Sequence, residues 1–161
     1  MDEALIKRVL PHSIEAEQSV VGSMLMDKEA VLIASELLLP EDFYGKQYGV
    51  MFEAIVELYN EGKPVDMITL QERLREKDVP MEISGVEFIR DLINAVPTSI
   101  HIKHYADIVR EKSILRRIIK VNEEIESMCY LGKEKLEVIL GETEKRIFHL
   151  LQSRNTGDFI P

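Results

Sequence analysis

Three Gly-Lys pairs are the first places to look for chemistry, because a glycine-rich turn that ends in Lys can cradle phosphates. Gly45-Lys46, Gly62-Lys63 and Gly132-Lys133 each lack the Gly five positions upstream that the pattern G-x-x-x-x-G-K-[ST] requires, so no phosphate loop is present. His101-x-x-His104, with Asp107 a turn further on, places two imidazoles at a spacing that can share a metal. No Cys or second His motif completes that set, and surface histidines are the expectation. Glu123-x-x-Glu126 and Glu134-x-x-Glu137 resemble the carboxylate pairs of helical-bundle metal sites. They lack the inward His such sites use, and the turn between them favours exposure. Cys129, set in an apolar stretch, is expected to be a small core hydrophobe, not a nucleophile. The residues therefore predict no catalytic, cofactor-binding or metal-ligating constellation.

The elements that carry these residues all read as helices. Leu10-Pro11-His12 closes an N-terminal arm, and Ser13 caps a helix with Glu15 and Glu17 near its positive end. Ile14, Ala16, Val20, Val21, Met24 and Leu25 fit one face of it. Asp27 caps a second helix, from Lys28 to Leu38, which Pro40 ends; the turn after it is expected to drop Phe43 into the core. A third helix runs from about Gln47 to Asn60. A fourth starts at Asp66 or at the rival box Thr69–Glu72 and continues to Lys77. Ser84-Gly85-Val86-Glu87 predicts a capped helix to Asn94, with Val86, Ile89, Leu92 and Ile93 inward. No segment alternates with period two, so the chain is expected to be all-α.

Past Pro97 the pattern changes. From Ser99 to Leu131 there is neither Gly nor Pro, and a helix of that span, capped by Thr98 or Ser99, would be roughly 48 Å long. Leu131-Gly132-Lys133 supplies a stop, and a second periodic stretch runs from about Glu134 to Ser153. Ile114, Ile118, Val121, Ile125 and Met128 alternate by four and three, as do Leu136, Leu140, Thr143, Ile147 and Leu150. Those stripes can bury each other in an antiparallel hairpin. Ile108, Leu115, Ile119, Cys129, Phe148 and Leu151 are then left over. At about 1.5–3 kcal/mol for each large apolar side chain fully buried, leaving several wet would forfeit much of a domain's stability. Some are expected on the globular part and the rest against another subunit.

The predicted organisation is an arm over 1–12, a globular multi-helix head over 13–97, a helical hairpin over 98–153, and the start of a linker over 154–161. The turn-like Asn155-Thr156-Gly157-Asp158 suggests a piece of something longer. Composition narrows the function classes. The 161 residues are 45% hydrophobic and 30% charged, with a net charge of −9, which opposes nucleic-acid binding by the chain as a whole. The exception is 103–120, where six Lys or Arg face two acids; that patch suits nucleic acid, an acidic partner or simply a solvated face. A single Cys fits a reducing compartment. The N-terminus has no apolar core of a signal peptide, and no apolar run approaches membrane-spanning length, so a cytoplasmic protein is expected.

Three ordered segments resemble the N-terminal domain of the bacterial replicative DNA helicases, the DnaB family. They are Pro11-His12-Ser13-Ile14-Glu15-Ala16-Glu17-Gln18-Ser19-Val20-Val21-Gly22; then Leu39-Pro40-Glu41-Asp42-Phe43-Tyr44 through to Gly62-Lys63-Pro64-Val65-Asp66-Met67-Ile68-Thr69-Leu70; then Ala95-Val96-Pro97-Thr98 with Tyr105-Ala106-Asp107-Ile108-Val109-Arg110-Glu111-Lys112-Ser113-Ile114-Leu115-Arg116-Arg117. Leu10 and Tyr48 depart from the family pattern, which often has Pro and His there. The resemblance implies a domain that hydrolyses no nucleotide itself, ATP and Mg²⁺ belonging to an ATPase domain absent here. It also implies that hairpins pair between subunits, that three dimers form a collar on a hexamer, and that the collar recruits primase, with a helicase loader as a further partner. Packing between hairpins, and of hairpin on head, would use Ile114, Leu115, Ile118, Val121, Ile125, Leu140, Ile147 and Leu150. Primase contact would use Glu15, Phe88, Ile119 and Ile125 or their neighbours. Two other readings stay open at this point: the helicase-binding C-terminal domain of a primase, which resembles this fold, and a small all-α carboxylate metal hydrolase.

Overall fold

The computed structural model describes residues 8–96 and 98–158, and describes side chains as far as residue 152. Eight α-helices and one 3-10 turn occur among the described residues, with no strand. They are α1 (Ile14–Met26), α2 (Lys28–Leu37), the 3-10 turn Pro40–Asp42, α3 (Lys46–Asn60), α4 (Met67–Glu76), α5 (Met81–Ser84), α6 (Val86–Asn94), α7 (Ile102–Leu131) and α8 (Leu136–Asp158). The architecture is the expected one, a multi-helix head followed by a long antiparallel hairpin. None of these helices is long and apolar enough to cross a membrane.

The chain separates into two units, His12–Lys112 and a second made of Ser113–Pro161 with the N-terminal arm to Pro11. Helix α7 therefore contributes its first three turns to the head. Ile102, Ala106 and Val109 are buried in the head core, and Ile108, expected as part of the surplus apolar face, packs against that core. The head is closed by burial on every helix. Val20, Val21 and Met24 of α1 share one core with Val31 of α2, Met51 and Ile55 of α3, Leu70 and Leu74 of α4, and Ile89 of α6. Phe43 joins them, its ring 5.0 Å from that of Phe52.

Most helix starts follow their caps. Ser13 Oγ accepts from Ala16 N at 3.2 Å, and Asp27 Oδ1 from Glu29 N at 3.0 Å. Of the two rival boxes Asp66 wins: its Oδ1 accepts from Thr69 N while Thr69 Oγ1 accepts from Asp66 N. Gly62 ends α3 at φ 73°, a left-handed turn that lets Lys63 N reach back to Leu58 O. Other expectations need correction. Gly85, not Ser84, precedes α6, because Ser84 closes the short helix α5 and its hydroxyl donates to Pro80 O. Val86, expected inward, is exposed in the first turn of α6, ahead of the buried Ile89 and Leu92. Helix α7 begins at Ile102, not at Ser99, because the two candidate caps are engaged elsewhere. Ser99 Oγ donates to Asp27, and Thr98 Oγ1 accepts from Ile100 N. At its other end α8 continues to Asp158, past the expected stop at Ser153. Each added residue gains a helical hydrogen bond once the helix is nucleated.

Candidate functional site

The first resembling segment turns out to be a clamp. Glu17 lies on the buried side of α1, one turn from Val20 and Val21, and is 1% exposed. Its two carboxylate oxygens accept from Tyr44 N and Gly45 N, each at 2.9 Å. Gly45 has no side-chain oxygen to cap α3, so a carboxylate 28 residues away does so and meets the positive end of the helix. His12 stacks on Tyr44 with ring centres 4.1 Å apart, which fixes the start of α1 to the same loop. Gly22 serves a separate contact. A Cβ there would stand 2.6 Å from Leu92 O and 2.7 Å from Val96 Cγ2, so α1 can approach the end of α6 only with glycine. Its place in the first turn of α1 predicts only a favourable charge there; a carboxylate on an otherwise apolar face is the signal of its contact with the Tyr44–Gly45 backbone.

A ladder of charges ties α3 to α4. Arg73 reaches Glu57 at 3.0 Å and Glu61 at 2.7 Å, and Lys77 reaches Glu53 and Glu57, both at 3.0 Å. The hydrogen bond from Arg73, then that from Lys63, hold the Glu61 carboxyl at about 2, well under the ordinary 4.5. Burial works against ionisation of Glu57, but hydrogen bonds from Lys77 and Arg73 outweigh it and keep that carboxyl low. Lys77 is held above its ordinary value, first by the hydrogen bond to Glu53.

The hairpin unit is built differently from the head. Among its described residues only Ser113 is buried. Ile114, Val121, Ile125, Met128 and Leu150 are half-buried, whereas Leu115, Ile118, Leu136, Leu140, Ile147, Phe148 and Leu151 are exposed. The expected seam is thus only half closed: two helices shield one line of side chains and leave the flanks open. Arg146 Nη1 donates to Glu124 Oε1 at 2.8 Å and pins the helices beside that line. Cys129, expected in a core, is exposed: among the described residues of the hairpin unit only Ser113 is buried. Pro11 O accepts from Arg116 Nη1 at 2.7 Å. Of the basic patch, Lys103 pairs with Asp107 one turn on at 3.6 Å.

The docking candidates fall into two sets. Glu15 is exposed on α1, and Gln18 on the next turn donates from Nε2 to Tyr48 Oη at 2.9 Å. Phe88, half-buried, stacks on Tyr48 with ring centres 6.1 Å apart. Gln18 and Phe88 thus both meet Tyr48, and Glu15 lies one turn before Gln18 on α1. Ile119 and Ile125 belong to the hairpin unit, both half-buried. His101 and His104 are both exposed, and among the described residues no group of three or more His, Cys, Asp or Glu is placed to hold a metal.

Comparison with known proteins places this arrangement. The family model of the DnaB-like helicase N terminal domain matches residues 9–111. Replicative DNA helicase DnaB of Geobacillus stearothermophilus is 38% identical over 159 residues, which is 99% of this chain and 35% of that protein. Replicative DNA helicase DnaC of Bacillus subtilis matches with the same identity and coverage. The chain thus spans about a third of the length of these curated relatives. Among solved structures, the N-terminal domain of DnaB helicase from Mycobacterium tuberculosis superposes with a TM-score of 0.83 at 31% identity, over 88% of this chain and 99% of that one. The N-terminal domain of DnaB helicase from Helicobacter pylori, described with its interactions with primase, shares the fold at a TM-score of 0.64 and 20% identity, over 81% of this chain and 99% of that one. By sequence over nearly its whole length and by fold, the chain belongs to the family of DnaB-like helicase N-terminal domains.

Proposed function

We propose that this chain is the non-catalytic assembly and docking domain of a replicative DNA helicase. It pairs with copies of itself through the hairpin, three such pairs form a collar on the hexameric enzyme, and the collar offers a docking surface to primase. The observation that carries this reading is the hairpin's open apolar flank. Leu115, Ile118, Leu140, Ile147, Phe148 and Leu151 stay exposed in a unit that buries almost nothing of its own. An apolar patch of that kind marks an interaction site. Residues 1–12 act as the arm, 13–97 as the head, 98–153 as the pairing hairpin, and 154–161 lead toward an ATPase domain, where ATP and Mg²⁺ would bind. In the subunit contacts Ile114, Val121, Ile125 and Leu150 form the half-covered line, and Leu115, Ile118, Leu140 and Ile147 the surface that meets the next chain. A helicase loader is a further partner of the assembled enzyme, and the work is cytoplasmic.

Primase docking is supported by the Helicobacter pylori domain of the same fold, whose interactions with primase are described. Glu15 and Phe88 on the head and Ile119 and Ile125 on the hairpin are the proposed contacts. Calorimetric titration with the C-terminal helicase-binding domain of primase from the same organism tests the reading. Saturable binding is expected, and Ile119→Asp is expected to abolish it with helicity unchanged. A folded wild-type chain that binds no primase in its assembled form would overturn the docking role.

A further inference from the structure

Val121 and Leu150 line one groove, and Glu124 accepts from Arg146, so this side of α7 faces α8. With Val121 as reference and about 100° per residue, Arg116, Ile119, Glu123, Glu126 and Tyr130 project at about 140° to 220°, from the back of α7. Glu123, Glu126 and Tyr130 are exposed there, yet Ile119 is half-buried. Its cover does not come from α8.

Residues 8–11 stand where that cover is needed. Pro11 O accepts from Arg116 Nη1, and Arg8 lines a groove of about 500 Å³ with Glu123, Glu126, Ser127, Tyr130 and Leu131. From 116 to 123 the helix rises about 10 Å, and the three steps of chain from Pro11 back to Arg8 reach about as far. Ile119 lies between the two points. The hold is weak. Arg8 is exposed, so its attraction to Glu123 and Glu126 is screened by water. Val9 is 65% exposed and adds little burial. Arg8 also has φ 49°, a left-handed conformation that a residue with a Cβ rarely keeps, and leaving the helix would relieve that strain. Contacts of this strength close because the segment belongs to the same chain, which raises its effective concentration.

We propose that residues 8–11 form a strap that closes over Ile119 on the back of α7 and opens to uncover it. Arg116 seats one end through the Pro11 carbonyl, and Glu123 with Glu126 seats the other through Arg8. Ile119 is one of the proposed primase contacts, so the closed strap competes with primase. That consequence rests on the docking reading, whereas the strap itself does not.

The test uses the whole chain carrying Cys129→Ser and Ile119→Cys, which leaves one thiol, at position 119. Its rate of alkylation by a maleimide reads how often the strap is open. Arg8→Glu repels the strap from Glu123 and Glu126 and is expected to raise that rate about threefold or more. Adding Glu123→Lys and Glu126→Lys to Arg8→Glu is expected to restore it. A rate indifferent to Arg8→Glu, or one that the second pair of substitutions fails to restore, overturns the strap. With Ile119 and Cys129 intact, Arg8→Glu is expected to tighten primase binding about threefold in the calorimetric titration. Faster alkylation with unchanged primase affinity overturns the competition. No primase binding by either chain overturns the docking reading alone, because the alkylation rates still decide the strap.

Discussion

Leu140 gives the sharpest test of self-assembly through the apolar flank. It is 58% exposed in the single chain, so a partner hairpin has more than half of it left to cover. Full burial of a leucine contributes about 1.5–3 kcal/mol, and the uncovered share therefore contributes about 1–2 kcal/mol per subunit. A two-fold interface presents the same patch on both chains, so the substitution counts twice. Leu140→Ala removes most of that contact and should cost the dimer about 2–3 kcal/mol, raising its dissociation constant about 30- to 150-fold. Alanine is the better helix former, so the hairpin itself keeps its helicity and circular dichroism stays unchanged. Equilibrium sedimentation across a concentration series reads the constant directly. Ile68→Ala is the control: that side chain, 72% exposed on α4 of the head, lies on no proposed subunit contact. A change of less than about threefold for Leu140→Ala, with helicity intact, would refute the placement of the interface on this flank.

Two further substitutions probe the head, and one titration its charges. Glu17→Gln keeps the shape but replaces one accepting oxygen by a donor facing Tyr44 N or Gly45 N. A loss of about 2–3 kcal/mol is expected in urea denaturation, and a midpoint matching the wild type would argue against the clamp. Gly22→Ala places a Cβ 2.6 Å from Leu92 O, which must move, so a destabilisation of about 1–3 kcal/mol is expected on thermal melting; an unshifted melting temperature would show that α6 yields freely. The α3–α4 ladder makes a signed pH prediction. Glu61 is depressed from 4.5 to about 2 and Glu57 is also lowered, so their contribution is present above about pH 4.5 and is lost as pH falls toward 2. Arg73→Met should flatten that part of the stability profile, and a profile unchanged by the substitution would remove the ladder as its source.

Local signals in the chain are legible for most helix starts, where the deciding atoms are a few residues apart. Ser13, Asp27 and the Asp66–Thr69 box cap their helices because a short polar side chain finds its own backbone N–H within one turn. Periodicity likewise predicts the buried face of Val20, Val21 and Met24. The differences have two causes, a competing local acceptor at Ser84 and long-range packing at Ser99 and Cys129. Ser84 donates to Pro80 O, four residues back, in place of capping α6, whereas Ser99 turns to Asp27 and Cys129 stays exposed through neighbours distant in the chain.

The amino-acid sequence by itself determined the helices, most of their caps, the turn at Gly132 and the family, because helix periodicity, capping and turn chemistry are local and the resembling segments are ordered along the chain. Only the tertiary structure decided what those segments are for. It showed that Glu17 caps a helix 28 residues away and that Gly22 is required where α1 meets the end of α6. It also showed that the first turns of α7 belong to the head core, and that the hairpin leaves a line of large apolar side chains exposed. Such assignments depend on which surfaces meet across long separations in the chain, and burial settles that only when the whole head, or the whole hairpin, has packed.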